Sequence, residues 1–227
     1  MRRSHLFPIA LAAALALVLA GSVEFRSLKD KRAQDRVARF NPAEYARDFW
    51  DHRLAGALDG ASEAGLLIGL FNTDMKAAVA QGRTLGQSRV HAYLLRGEGQ
   101  IVAADKDGLL VSVLPDDPGP EVLICTGPYI SGNAVRDASG LVDVSAFSDT
   151  MRFNRISAEI NKIMVQEVIL PFLEKRPQAG MQVRFIGAAE VSEEATEEVP
   201  FGGRGQPGAA DGARHLLRIV PVQLELE

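Results

Sequence analysis

Few residues in this 227-residue chain stand at spacings that could do chemistry, and the best placed run from Gly127 to Asp137. The segment reads Gly127-Pro128-Tyr129-Ile130-Ser131-Gly132-Asn133-Ala134-Val135-Arg136-Asp137. Gly127, Gly132 and Asn133 tolerate backbone angles closed to most residues. Arg136 offers a planar fork of donors and Asp137 a carboxylate. Together they could build a polar pocket for a small anionic or hydroxylated ligand. They could equally act as a keystone, with Arg136 pinning loop carbonyls or a carboxylate and Asp137 capping a turn; ion-pair networks of that kind outnumber sites. Asn161, on the apolar flank of a predicted helix, is placed to hydrogen-bond the loop. Gly127, Pro128, Gly132, Asn133, Arg136, Asp137 and Asn161 therefore form the candidate binding set. Asp137 or Asp143 is the carboxylate an enzyme would use as acid or base on a small carbohydrate.

Other constellations are weaker. The chain contains no HExxH, no CxxC, no P-loop and no nucleophile elbow. His91 and His215 fall on predicted first and fifth strands that could be neighbours, but no third metal ligand is apparent and exposed sheet positions explain them better. His5 precedes an apolar run and His52 lies on a predicted helix. Asp105-Lys106-Asp107-Gly108 resembles the start of a calcium loop, lacks the third ligand and the distal Glu, and reads as a hairpin turn. Gly202-Gly203-Arg204-Gly205 has no strand–helix frame around it, which argues against a phosphate cradle. No catalytic residue, metal site or cofactor is assigned on these grounds.

The elements that must position the loop follow from capping and periodicity. Asn41-Pro42-Ala43-Glu44 is a helix start, with Tyr45, Phe49, Trp50, Leu54 and Leu58 on one face and Gly60 at the end. Trp50 could stack on a ligand, although an aromatic at helical spacing more commonly joins the core. Ser62-Glu63 should open a second helix carrying Leu66, Leu67, Leu70 and Phe71, and Thr73-Asp74 caps a third that ends at Gly82. Residues 42–87 thus read as a small helical subdomain. From 88 to 227 the pattern is β. Arg89–Ala104 is a long strand bent at Gly97 and Gly99. Leu109–Leu114 and Glu121–Thr126 follow, then a long loop to about Phe147. Ser148 caps a helix bearing Met151, Ile156, Ile160, Ile163 and Val168, which Pro171 must kink or end. Met181–Val191 and His215–Leu226 are strands four and five, joined by the Glu-, Gly- and Pro-rich loop 192–213. Three strands, a helix and two strands predict an α+β chain with an OB-like, five-stranded Greek-key β-barrel whose helix lies between strands three and four.

Charge narrows the function. Residues 1–87 hold 12 Lys and Arg against 9 Asp and Glu, whereas residues 88–227 hold 13 against 20. The β region is acidic and its strands offer little beyond Tyr93 and Phe185 as stacking platforms, so nucleic acid is excluded as a partner despite the predicted barrel. The single cysteine, Cys125, excludes an intrachain disulfide framework and a thiolate zinc cluster.

At the N-terminus, Arg2 and Arg3 precede the apolar run Leu6–Gly21. This is the layout of an export signal or a short membrane anchor, residues 1–22, ahead of a linker helix at 23–41. Leu19-Ala20-Gly21 is the ending a lipoprotein signal places before its lipidated cysteine, but Ser22 stands there and has no thiol to acylate. The flank beyond the run carries Arg26, Lys29, Lys31, Arg32, Arg36 and Arg39, which by the positive-inside rule would favour the cytoplasm.

The chain resembles the predicted periplasmic lipoproteins of domain-of-unknown-function family 2291. The matching features are Phe49-Trp50-Asp51, Gly127-Pro128, the stretch Gly132 to Ala138, Phe147, Ile160-Asn161, and Gly180 with Phe185, Gly187 and Ala188, over roughly residues 40–190. The resemblance implies a helical domain plus an OB-like barrel, a location on the periplasmic side of the bacterial inner membrane, and association with sugar ABC-transport systems. It implies no catalytic activity. The expectation is a non-enzymatic, membrane-tethered envelope module that binds a transporter component or small ligand near Arg136, with the inner membrane as a partner through the N-terminal helix. The alternative is a periplasmic enzyme acting on a small carbohydrate through Asp137 or Asp143.

Overall fold

The computed structural model describes residues 40–114, 119–147, 149–193 and 216–227. The described residues from Asn41 onward belong to one compact unit, Asn41–Glu227. The expected leader at 1–22 lies outside the described residues, as do nearly all of the linker helix and of loop 192–213. Among the described residues no helix is long and apolar enough to cross a membrane.

Helix α1 (Pro42–Asp48) starts where local chemistry predicts. The Asn41 side chain accepts the N–H groups of Ala43 and Glu44 at 3.1 and 3.4 Å, and Pro42 fills the first turn, where a missing N–H costs nothing. The helix continues through a π-helical turn, Phe49–Arg53, into α2 (Leu54–Leu58), and buries Phe49, Leu54 and Leu58. Trp50 is half-buried, and its indole donates to Glu167, whose carboxylate also holds Arg47.

Ser62-Glu63 does precede a helix, with Glu63 in the N-cap position, but neither side chain caps it. The pair forms a two-residue strand, β1 (Ser62–Glu63), parallel to the next strand. Arg96 explains the difference: its guanidinium donates to the carbonyls of Ala61 (2.7 Å) and Asp59 (2.8 Å) and draws this segment against the sheet. Helix α3 (Ala64–Thr73) then buries Ala64, Leu67, Ile68 and Phe71, and leaves Leu66 71% exposed. Asp74 caps α4 (Met75–Gln81) through the Ala77 N–H at 3.0 Å.

The remaining strands are β2 (Val90–Ala104), β3 (Gly108–Ser112), β4 (Val122–Cys125), β5 (Gln182–Ser192) and β6 (Leu217–Leu226). Their hydrogen-bonded order is β1-β2-β3-β4-β6-β5, and β5 returns to pair with β2 along eleven residues from Val90↔Ser192 to Gln100↔Gln182. The sheet is mixed and six-stranded where five strands are predicted: the short β1 adds a parallel strand beside Leu95 and Arg96, while the β2–β5 pairing joins the other five edge to edge. β4 and β6 are also parallel, with Val122 opposite Leu217.

Two glycines let β2 pair on both sides. A Cβ at Gly97 would stand 2.7 Å from the Phe185 ring, and one at Gly99 would stand 2.2 Å from the Ser112 carbonyl oxygen. The register shift itself falls beyond them, between Ile101 and Ala103. Leu95, Ile101, Val111, Ile124, Val183, Phe185 and Ile219 form the centre of the core, which α3 and Phe172 complete.

The segment after β4, expected to be a long loop, contains α5 (Ala134–Ser139) and a 3-10 turn, Val144–Ala146. Ser148 lies outside the described residues. The observed cap of α6 (Thr150–Met164) is Asp149, which accepts the Met151 N–H at 2.8 Å. That helix buries Phe153, Ile156, Ile160 and Met164 but leaves Met151 62% exposed. Pro171 does not end it. A π-helical turn, Val165–Ile169, carries the chain into α7 (Leu170–Glu174), and Pro171 sits in the first turn of α7. The wider turn makes room for a ring that would clash with a regular preceding turn, and absorbs the missing N–H.

Candidate functional site

The loop from Gly127 to Asn133 is held at both ends by backbone chemistry. Its start rests on the β2–β3 turn: the Gly127 N–H donates to the Asp107 carbonyl at 3.2 Å, and a Cβ on Gly127 would stand 3.0 Å from the Lys106 carbonyl oxygen. That turn is the hairpin the residues predict. The Asp105 carboxylate accepts the N–H groups of Asp107 (2.8 Å) and Gly108 (3.0 Å), so it is spent on the turn. Among the described residues no group of three His, Cys, Asp or Glu side chains could hold a metal.

At its far end the loop passes Gly132, whose φ of 97° favours glycine, and whose carbonyl accepts the Asn161 side-chain N–H at 3.2 Å. Asn161 is therefore a loop partner, as its place on α6 predicts. Asn133 precedes α5 without a side-chain cap, and its backbone N–H donates to Glu190 on β5.

Arg136 is 2% exposed. Its Nε donates to the Asp137 carboxylate at 2.6 Å, and its Nη1 to the Phe153 carbonyl at 3.1 Å and the Asn154 side-chain oxygen at 3.3 Å. The guanidinium lies 3.6 Å from the centroid of the Phe153 ring. This is the keystone arrangement: Nε and Nη1 both bond to protein, and α5 is tied to α6. Asp137 pairs with Arg136 instead of capping a turn. The turn after α5 is made by Ser139, whose hydroxyl donates to the Arg136 carbonyl at 2.7 Å and accepts the Leu141 N–H at 3.2 Å, and by Gly140 in the left-handed region. Asp143 is exposed. Its carboxylate takes the hydroxyl and the N–H of Ser145, both at 2.8 Å, and these bonds hold its pKa below the usual carboxylate range.

Between these fixed points the loop stands out. Pro128 is exposed and Tyr129 is 93% exposed. Residues Pro128–Ser131 form a wall shared by two cavities. One, of about 460 Å³, is completed by Lys106, Asp107, Cys125, Glu190 and Arg218. The other, of about 610 Å³, lies over α6 and includes Gly132, Asn133, Ser157 and Asn161. Gly127, Pro128, Gly132, Asn133 and Asn161 thus line one cavity or the other, whereas Arg136 and Asp137 lie behind them and face a third hollow beside Glu190. Partial burial, and then the Asp137 carboxylate, push the Glu190 pKa up against the opposing Asn133 N–H and Arg136. Burial also pushes the Cys125 thiol up, and the adjacent Arg218 partly offsets that.

Lys106, Glu190 and Arg218 carry no local signal in the sequence. They come from three elements and meet only because β4 pairs in parallel with β6 and the loop crosses toward β5. His91 departs from the expected exposed position: it is buried, with Nε2 2.6 Å from Glu193 Oε1. His52 is exposed, and His5 and His215 lie outside the described residues.

Comparison with known proteins fits this framework. No curated protein matches the chain. Among solved structures, an OB-fold protein from Thermotoga maritima is similar, with a TM-score of 0.67 and 24% identity; the match covers 83% of this chain and 99% of that one. At that identity the likeness speaks for the fold alone. The family model of domain of unknown function 2291, described as a predicted periplasmic lipoprotein, matches residues 13–201, and the chain belongs to that family.

Proposed function

We propose that the protein is a non-catalytic, membrane-tethered binding module of the periplasm, which engages a small polar ligand or a component of a sugar ABC transporter through the loop Gly127–Asn133. The observation that carries this reading is the loop's construction. The Asp107 carbonyl holds its start and Asn161 its far end, while Tyr129 stands almost fully exposed between two cavities. A loop fixed at its base and bare at its tip presents contact surface without a large ordering cost on binding. Membership of a family described as periplasmic lipoproteins supports the location. With Ser22 in place of a lipidated cysteine, the tether in this reading is the apolar run Leu6–Gly21 itself.

The enzymatic alternative has less support. A general acid or base must reach a substrate proton, yet Asp137 is occupied by Arg136 and Asp143 by Ser145. A photo-crosslinker placed at position 129 in native membranes tests the reading. It should capture a permease or binding protein of a sugar ABC transporter, and the purified protein should turn over no sugar or glycoside. A turnover abolished by Asp137→Asn refutes it, as does failure to capture such a component in a protein that also binds no small polar ligand.

A further inference from the structure

The 460 Å³ cavity between the β2–β3 turn, the Gly127–Ser131 loop and β6 contains two cations from distant parts of the chain, Lys106 and Arg218. Among the described residues neither is ion-paired with a carboxylate; the partner of Arg218 is the buried thiol of Cys125. This contrasts with the other arginines near the loop. Arg136 bonds Asp137, Phe153 and Asn154, and Arg53 donates to Tyr45 and the Leu141 carbonyl. Asp107 and Glu190 line the same cavity, so its four charged side chains balance, yet on a domain that is acidic overall two cations without ion-pair partners in one concavity are a local departure from the acidic surface. Across the cavity, Glu190 is fixed by the Asn133 N–H and offers a carboxylate edge to hydroxyl donors. Ile130 and Ala134 supply apolar wall, and Tyr129 stands at the rim.

We infer that this cavity is a binding site for a small hydroxylated organic anion, whose acidic group is held by Arg218 and Lys106 and whose hydroxyls face Glu190. The inference rests on the binding-module reading and assigns the ligand class to that loop. Arg218 is the principal anchor, because a guanidinium fork matches a carboxylate or phosphate edge on and is already oriented beside Cys125, whereas Lys106 adds a point charge from the turn. A neutral polyol would satisfy Glu190 and leave both cations without an ion-pair partner.

The test is calorimetric titration of the full chain with glucuronate and with glucose, which share the ring and hydroxyls and differ by the carboxylate. Glucuronate should bind at least about tenfold more tightly than glucose, as expected for one charge-assisted anchor. Arg218→Gln should erase that preference, Lys106→Gln should weaken it, and Arg218→Lys should restore part of it. Equal affinity for the two sugars, no binding of glucuronate, or a preference that survives Arg218→Gln in a protein of unchanged melting temperature would overturn the inference. Crosslinking from position 129 is scored separately: its success alongside any of these results leaves the binding-module reading standing while this inference fails, and its failure with glucuronate preference intact upholds this inference and removes only the transporter component as a partner.

Discussion

Replacing Arg136 with Met tests the keystone directly. The substitution keeps most of the aliphatic volume and removes the guanidinium, which is buried and bonded to the Asp137 carboxylate, the Phe153 carbonyl and the Asn154 side chain, and stacked on the Phe153 ring. Breaking a buried ion pair by removing one partner costs about 3–5 kcal/mol. The Asp137 side chain is 15% exposed, so water reaches the orphaned carboxylate and the loss belongs at the lower end, about 3 kcal/mol. For a folded unit of this size that corresponds to a fall in melting temperature of about 6–12 °C. It is small enough to leave the fold intact if the total stability is of ordinary size, about 5–15 kcal/mol. Calorimetry or urea unfolding followed by circular dichroism measures it. Adding Asp137→Asn should recover at least about 1 kcal/mol, because the uncompensated charge then disappears. A loss below about 1 kcal/mol for Arg136→Met, or a double variant no more stable than the single one, would refute the keystone account.

Gly99→Ala should destabilise by about 1–3 kcal/mol or more, because the new methyl group collides with the Ser112 backbone across the β2–β3 ladder; Gly69→Ala, on α3 with open space around it, should stabilise by about 0.5–1 kcal/mol, and urea midpoints that fail to diverge would contradict the packing assigned to β2. Glu190→Gln should raise the melting temperature at neutral pH. A carboxyl whose pKa is raised by folding adds stability that is complete below its unfolded pKa and is lost as pH rises through the folded one, so the advantage of Gln should shrink on acidification through the carboxylate range; an advantage independent of pH would rule Glu190 out as its source.

The local decisions in this protein are written in short stretches of residues. Asn41 and Asp74 cap helices because their carboxyl or amide oxygens reach nearby N–H groups whatever the rest of the chain does. The Asp105–Gly108 turn closes for the same reason. The succession of three strands, a helix and two strands, and the contact of Asn161 with the Gly127–Asn133 loop, are legible from periodicity and from glycine placement. Family membership is likewise legible in the chain, over residues 13–201. What the tertiary structure alone decided are the long-range choices. Ser62-Glu63 became a strand because Arg96, far away in sequence, captures the preceding carbonyls. Pro171 stayed within a helix because a π-helical turn preceded it. Arg136 became a buried keystone because α6 brought Phe153 beneath it. Lys106, Glu190 and Arg218 share a cavity because parallel pairing of β4 and β6 carries side chains together from three separate elements. Capping and turn chemistry act over a few residues and leave a sequence signature, whereas the meeting of distant side chains depends on which strands pair, and no single stretch of sequence encodes that.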